Sequence, residues 1–234
     1  MQVLRVGGEH LATRQQNARK ALMIIAIVGV LGAGALSILV HPSAGVLLGV
    51  MCVPAGVKAR AYLRRVAKGI KGEVLVSELL QALPDDYFLL NDVVLKGHPG
   101  NIDHVVVGPC GVVVIETKNL SGSVETHWNA WFVGGWQHRS ISKQVNRGAI
   151  AVRQALSRAH PDLEKSVLRF VDSVVVFTNP VSRVKVDRAQ TIVARYSELL
   201  DVIHAIAQRK RVPAAIAARL AESLRKLMSS EAAA

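Results

Sequence analysis

The chain has only two cysteines among its 234 residues. Cys52 lies in a long apolar stretch, and Cys110 lies in a predicted turn. A disulfide-stabilised scaffold needs several paired cysteines, and a structural zinc site needs clustered cysteine or histidine ligands. The cysteine content therefore argues against both classes, and it agrees with a reducing compartment such as the cytoplasm.

Acidic residues are scarce relative to basic ones. The chain contains 17 Asp and Glu against 29 Lys and Arg, which gives a formal net charge of +12. Residues 1–57 hold four of the basic residues and one acid, leaving 25 basic and 16 acidic residues, or +9, for the rest. A basic surface attracts nucleic acid through its phosphates, and it equally attracts an anionic membrane leaflet. Charge alone leaves both partners open.

Charge is absent altogether from residues 21–40. A helix of about 20 residues spans about 30 Å, which is the thickness of the bilayer hydrocarbon core. The segment His41-Pro42-Ser43 interrupts the apolar sequence, and residues 44–57 then form a second, shorter uncharged run. The mean hydropathy of the whole chain, +0.30, is high for a wholly soluble protein. We therefore expect a transmembrane helical hairpin over residues 21–57.

Basic residues flank the two apolar runs on their outer sides. The first run is preceded by Arg5, Arg14, Arg19 and Lys20, and the second is followed by Lys58, Arg60, Arg64, Arg65, Lys68 and Lys71. The positive-inside rule then places both flanks in the cytoplasm and predicts an integral protein of the cytoplasmic membrane. A single span followed by an interfacial helix is an alternative. A cleaved signal peptide is disfavoured, because the apolar run is too long and more apolar sequence follows it.

A predicted β-hairpin with polar ends is the most informative pattern in the chain. Two apolar runs, residues 105–107 and 112–115, flank a Gly-Pro-Cys-Gly turn. Because the start of one hairpin strand lies beside the end of the next, Asp103 should lie close to Glu116 and Lys118. Side chains two residues apart project from the same face of a strand. Two carboxylates and an ammonium at one point suit divalent-metal hydrolysis of phosphodiesters, because carboxylates are hard ligands for Mg²⁺ and a lysine can orient water.

This pattern resembles the PD-(D/E)xK nuclease superfamily, and more closely its nuclease-related domain (NERD) family. Four segments carry the resemblance in the expected order: Gly69-Ile70-Lys71-Gly72-Glu73, residues 102–109, residues 111–118, and Gln144 at the start of a predicted helix. The resemblance spans residues 66–180. A lone Glu-x-Lys would be weak evidence, whereas four ordered motifs in one domain-sized segment indicate the family.

The resemblance and the hairpin together assign candidate roles to a small set of residues. The expected catalytic residues are Glu73, Asp103, Glu116, Lys118 and Gln144. Mg²⁺ (or Mn²⁺) is expected to bind Asp103, Glu116 and the backbone carbonyl of Thr117, while Lys118 positions the attacking water. The alternative interpretation makes these residues ordinary polar groups at strand ends and on exposed helix faces. His104 should point to the opposite face from Asp103, so we expect it to be a packed or surface histidine.

Two further groups could contact nucleic acid. Arg139, Lys143 and Arg147 recur every four residues, which predicts a basic stripe on the helix that carries Gln144, although a solvated helix face is the ordinary alternative. Three tryptophans cluster within nine residues, namely Trp128, Trp131 and Trp136. They could stack on bases, but packing of a small hairpin on the core is the favoured interpretation.

The expected fold class is α/β, with a restriction-endonuclease-like mixed sheet flanked by helices. The expected order is a basic cytoplasmic lead (1–20), the transmembrane hairpin (21–57), a juxtamembrane basic segment (58–65), the NERD nuclease-like domain (66–180) and a C-terminal strand and helices packing on it (181–234). The juxtamembrane basic residues could bind anionic lipid headgroups. The expected function is a membrane-anchored, divalent-metal-dependent nuclease acting on DNA or RNA in the cytoplasm. The alternative is a non-catalytic module that retains the nuclease fold and binds nucleic acid or anionic lipid.

Overall fold

The computed structural model describes residues 1–5, 9–39 and 41–232 of the chain. It forms two compact units, Gly8–Lys71 on the one hand and Met1–Gly7 with Gly72–Ala234 on the other. Val40 of the expected hairpin, residues 6–8 of the expected lead and the last two residues of the C-terminal segment lie outside the described residues.

The first unit is helical. Helix α1 runs over Glu9–Leu39, and helix α2 begins at Pro42 and runs to Leu80, beyond the limit of this unit. Proline suits the first position of a helix because its missing N–H would have no helical partner there. The helix break expected near His41 is thus confirmed. Helix α2 continues through Gly69 and Gly72 without a break.

Across the parts of the chain that the structure describes, no helix combines the length and hydropathy needed to cross a membrane.

The second unit contains a six-stranded mixed sheet. Its strands are β1 (Gln2–Arg5), β2 (Phe88–Val94), β3 (Asn101–Gly108), β4 (Gly111–Lys118), β8 (Asp172–Phe177) and β10 (Ile192–Arg195), in the spatial order β1-β2-β3-β4-β8-β10. Strand β3 is antiparallel to both of its neighbours, β2 and β4, whereas β1, β8 and β10 each pair in parallel with a neighbour. The mixed sheet expected from the sequence is confirmed. The edge strand β1 was not predicted.

A smaller four-stranded sheet comprises β5 (Ser123–His127), β6 (Ala130–Val133), β7 (Trp136–His138) and β9 (Arg183–Asp187). Trp131 of β6 is fully buried, its ring stacks on Phe177 with 6.1 Å between centroids, and its indole N–H donates to Ser142 at 2.9 Å. The packing interpretation is therefore confirmed for Trp131. Trp128 and Trp136 are exposed.

Helices cover both faces of the six-stranded sheet. Helices α3 (Ile141–Ala159) and α5 (Ala214–Ala232) pack on one face, together with the small sheet. The end of α2 and helix α4 (Leu199–Lys210) pack on the other face. Along β4, Val112 and Val114 face α3, whereas Val113 and Ile115 face α2 and α4. This two-sided burial explains the continuous apolar runs in the central strands.

Gly72 permits α2 to approach the ends of β4 and β8. A β-carbon at this position would lie 2.9 Å from the Thr178 hydroxyl oxygen and 3.2 Å from the methyl carbon of Thr117. A methyl group would therefore push the helix away from the sheet. This close approach sets the position of Glu73, the next residue.

We expect Gly72→Ala to lower the free energy of unfolding by about 1–3 kcal/mol, the usual range for overpacking a tight contact. Gly69→Ala is the matched control, because nothing lies within 4 Å of its β-carbon position. This control should raise stability by roughly 0.5–1 kcal/mol through helix propensity. Urea denaturation followed by tryptophan fluorescence measures both effects, since all three tryptophans lie between residues 128 and 136. Equal effects of the two substitutions would contradict the packing argument.

Candidate active site

The pairing of β3 with β4 places Asp103 beside the end of β4. His104 is paired with Ile115 in the antiparallel register, so the next residues outward are Asp103 and Glu116. The backbone N–H of Thr117 donates to Asp103 Oδ2 at 2.8 Å. The structure therefore brings Asp103 to the motif at the end of β4, as the hairpin prediction requires.

Glu116, Lys118 and Gln144 form a closed set of hydrogen bonds on the α3 side of the sheet. Lys118 Nζ lies 2.6 Å from Glu116 Oε1 and 3.1 Å from Gln144 Oε1. Gln144 Nε2 donates to the same Glu116 oxygen at 2.7 Å. The carboxamide of Gln144 thus has one orientation, with its oxygen toward the ammonium and its nitrogen toward the carboxylate. Glu116 is buried and the Lys118 side chain is only 18% exposed, so solvent screens this pair weakly.

Asp103 is the residue of the cluster whose charged form is disfavoured by its surroundings. Burial raises its pKa well above the ordinary value of 3.8, and the negative charges of Glu116 and Glu73 raise the pKa further. The hydrogen bond from Thr117 and the positive charge of Lys118 act in the opposite direction. Glu73 therefore lies close enough to the other two acids to affect Asp103, although it comes from α2 on the other face of the sheet.

A buried polar network supports β4 from the α2 side. Asn91 Nδ2 donates to Ser77 Oγ at 2.9 Å, so the Asn91 oxygen is the acceptor for His104 Nδ1 at 2.7 Å. His104 Nε2 then accepts from the Thr117 hydroxyl at 3.2 Å. Burial lowers the pKa of His104 to about 3, which keeps the ring neutral. The expectation of a packed histidine is confirmed.

Asp92 is a buried acid that the sequence analysis missed. The neighbouring pairs Asn91–His104 and Val93–Ile102 place it in register opposite Asp103. Its backbone has a positive φ of 54°, its Oδ1 accepts from Asn101 at 2.5 Å, and its Oδ2 has no hydrogen-bond partner among the described residues. The signal in the sequence was an Asn-Asp pair inside an otherwise apolar strand.

The predicted basic residues are all exposed, but they do not form one helical stripe. Arg139 precedes Ser140, the N-cap of α3, so its placement on the helix was wrong. Lys143 and Arg147 lie one turn apart on α3. Arg147 also lines a small cavity of about 40 Å³ together with Glu116 and Gln144. One member of the basic group therefore reaches the candidate site.

Within the described residues, no group of three or more His, Cys, Asp or Glu side chains is arranged to hold a metal ion. The donors expected from the sequence are the carboxylates of Asp103 and Glu116 and the backbone carbonyl of Thr117. Mg²⁺ commonly uses one or two protein carboxylates and takes its other ligands from water and substrate phosphate. The donor set is thus chemically suited to such an ion without a third acidic ligand.

Comparison with protein families identifies the fold that carries this site. Residues 68–178 match the family model of the nuclease-related domain, NERD. The chain contains a nuclease-related domain. NERD domains belong to the PD-(D/E)xK-like nuclease class, as the four sequence motifs predicted. The matched segment of the NERD domain includes Glu73, Asp103, Glu116, Lys118 and Gln144.

The chain is also similar to an uncharacterized protein of Bacillus anthracis, with 42% identity over 59 residues. These residues cover 24% of this chain and 28% of the relative. The chain thus spans little more than a quarter of the length of the curated relative it matches. No solved structure matches the chain.

The raised pKa of Asp103 predicts a pH-dependent stability of the metal-free NERD domain. The pKa of Asp103 is higher in the folded state than in the unfolded state. The contribution of Asp103 to the free energy of unfolding is therefore fully present below about pH 4, and it is lost as the pH rises through the folded-state pKa. Asp103→Asn removes this loss. We expect the variant to have a higher melting temperature than the wild type at neutral pH in EDTA. Each ~1 kcal/mol of unfolding free energy shifts the melting temperature by a few degrees. The difference between the two proteins should shrink toward pH 4.

Melting curves between pH 4 and 8, with and without Mg²⁺, measure this effect. Mg²⁺ should raise the melting temperature of the wild type and leave the variant unchanged. Asp201→Asn, at an exposed position of α4, is the matched control and should follow the wild type. Parallel pH profiles for wild type and Asp103→Asn would contradict the assignment.

Proposed function

We propose that this protein is a membrane-anchored, divalent-metal-dependent nuclease that hydrolyses phosphodiester bonds of nucleic acid. The observation that supports the proposal most directly is the hydrogen-bonded set of Glu116, Lys118 and Gln144 beside Asp103. This set lies within a nuclease-related domain. No feature of the site selects DNA over RNA, so the proposal covers both.

Asp103, Glu116 and the Thr117 carbonyl would hold Mg²⁺ or Mn²⁺. When bound, such an ion supplies Lewis-acid stabilisation of phosphate charge and makes a bound water more acidic. The protein supplies a site that favours a cation. The amide of Thr117 holds Asp103 by a hydrogen bond, and two neighbouring negative charges repel its carboxylate. A cation would relieve that repulsion, and this is the physical reason that the residues fit a metal.

Lys118 and Gln144 would act on the phosphate and the attacking water. The ammonium of Lys118 is fixed by Glu116 on one side and the Gln144 oxygen on the other. A positive charge held in this way is ready to stabilise charge that develops on phosphate oxygens. Gln144 fixes the direction of both partners, and Glu73 would serve as an additional acid at the same edge.

Basic side chains around the site would bind the nucleic-acid backbone. Arg139, Lys143 and Arg147 are exposed at the beginning of α3, the helix that also carries Gln144. Exposed cations bind phosphates without sequence preference and displace counterions. The competing proposal is a non-catalytic module that keeps these contacts and lacks turnover.

The first unit would provide the membrane anchor. Apolar side chains on α1 and on the beginning of α2 are strongly exposed, with 72% of Val30, 86% of Ile38 and 67% of Val46 accessible. Contact with hydrocarbon would remove this surface from water. The basic residues after position 57 would face the headgroups of the cytoplasmic leaflet, with the NERD domain in the cytoplasm.

Cleavage assays on the full chain, purified in detergent, test the catalytic proposal. With Mg²⁺ or Mn²⁺ we expect hydrolysis of single-stranded DNA, double-stranded DNA or RNA. Asp103→Asn, Glu116→Gln and Lys118→Ala should each lower the rate by at least ~10²-fold, the usual scale for a positioned charge at a reacting centre.

The matched controls are Glu125→Gln and Lys185→Ala, at exposed positions of the small sheet. Both should keep wild-type rates, and the melting temperature should show that every variant is folded. Activity that persists in Asp103→Asn, or a folded wild type that cuts none of the three substrates, would favour the non-catalytic module.

Extraction of membranes with alkaline carbonate tests the anchor. The wild type should remain in the membrane pellet. Val30→Lys combined with Leu31→Lys should move a large fraction to the supernatant, because each charge inside the bilayer costs about 2.5–3.5 kcal/mol. Val181→Lys, at an exposed apolar position of the other unit, is the control and should not change the distribution. Release of the wild type by carbonate would contradict integral anchoring.

A further inference from the structure

A second cavity, separate from the candidate active site, lies between α3 and the start of β8 and β10. Its volume is about 600 Å³, within the usual range of about 300–1,000 Å³ for small-molecule sites. Asn146, Ile150 and Arg153 line it from α3. Gln144 and Arg147 instead line the small cavity beside β3. The two cavities therefore lie on opposite flanks of the same helix.

The polar floor of this cavity is already fixed. The Ser173 hydroxyl donates to Asn146 Oδ1 at 2.6 Å, and the Thr191 hydroxyl donates to the Ser173 carbonyl at 2.8 Å. Asn146 Nδ2 in turn donates to the carbonyl of Gln190 at 3.1 Å. These bonds tie α3, β8 and the segment before β10 together. A ligand would meet a preorganised floor and would not have to order it.

The charges at the cavity are positive. Arg153 Nε donates to the carbonyl of Leu168 at 3.1 Å, which fixes its guanidinium and leaves the terminal nitrogens with no acceptor among the described residues. The backbone N–H of Arg169 donates to the Ser166 carbonyl at 3.2 Å, but its guanidinium has no hydrogen-bond or ion-pair partner among the described residues. The one acid lining the cavity, Asp172, is neutralised by Lys210 at 2.6 Å. Two guanidiniums thus remain available to an anion.

Apolar side chains complete the walls. Phe170 is 71% exposed and Ile150 is 53% exposed, although both line the cavity. Exposed aromatic and aliphatic surface beside two arginines suits a ligand that is flat and apolar at one end and anionic at the other. A simple anion would leave the apolar walls unused, and an apolar ligand would leave the guanidiniums unpaired.

We propose that this cavity binds a nucleoside phosphate, with the base against Phe170 and Ile150 and the phosphate on Arg153 and Arg169. Stacking on an aromatic ring accommodates any base, and arginine pairs with phosphate through two parallel hydrogen bonds. The same chemistry is present in a free nucleotide and in one unit of a nucleic-acid strand. The proposal does not depend on catalysis at the NERD site.

Equilibrium binding to the full chain in detergent tests the proposal. The probe is ATP labelled on its ribose with a fluorophore, used in EDTA so that metal binding and cleavage play no part. We expect saturable binding. Arg169→Ala should weaken it at least 10-fold, and Phe170→Ala should weaken it several-fold. Because Arg169 and Phe170 are exposed, neither substitution is expected to unfold the protein.

The matched controls separate this site from general electrostatic attraction and from the candidate active site. Arg158→Ala and Lys165→Ala each remove one exposed positive charge outside the cavity and should bind as the wild type does. Asp103→Asn should also bind normally. Competition by a 12-residue oligothymidylate with the same dependence on Arg169 would identify a strand as the source of the ligand, and competition by unlabelled ATP alone would identify a free nucleotide. Absence of saturable binding, or equal weakening by Arg169→Ala and Arg158→Ala, would overturn the proposal.

Discussion

The hydrogen bond from the Thr117 amide to Asp103 is the contact on which the candidate site depends. It connects the outer end of β3 to the outer end of β4, where the ladder of paired residues has reached His104 and Ile115. Through this bond a carboxylate replaces a backbone carbonyl as the acceptor. This bond holds the start of β3 beside the end of β4 beyond the last paired residues. It also places the carboxylate of Asp103 next to Glu116, Thr117 and Lys118.

Side chains alternate strictly along β4, so successive residues contact different partners on the two faces of the sheet. Glu116 and Lys118 project toward α3 and meet Gln144, whereas Thr117 projects toward α2 and meets His104. One face therefore carries the charged groups and the other carries a neutral network that holds the backbone between them. A neutral His104 is suited to this place, because a buried positive charge would have no partner in the network.

The sequence predicted those parts of the site that local geometry determines. Period-two alternation and turn residues predict the hairpin, the shared face of β4 and the start of α3. The sequence therefore predicted that four side chains lie close together, namely Asp103, Glu116, Lys118 and Gln144. Contacts between distant segments could not be predicted in this way. The pairing of Asn91 with Ser77 and His104, and the position of Asp92 opposite Asp103, depend on the register between β2 and β3 across a loop. The continuity of α2 through Gly72 likewise depends on tertiary packing, because the helix contacts Thr117 and Thr178 there and this overrides the local preference of glycine.

The balance of charge at Asp103 connects the architecture to the proposed chemistry. The folded protein places Asp103 near Glu116 and Glu73, and the ammonium of Lys118, which opposes these charges, is already bound to Glu116. A purely structural site would gain stability from replacing Asp103 with a neutral group, since burial and the neighbouring negative charges both disfavour its charged form. An arrangement that keeps these carboxylates close together is physically reasonable where an additional positive charge binds between them. In the proposed function a divalent cation would supply that charge, and the cation together with Lys118 would then face the negative charge of a phosphodiester.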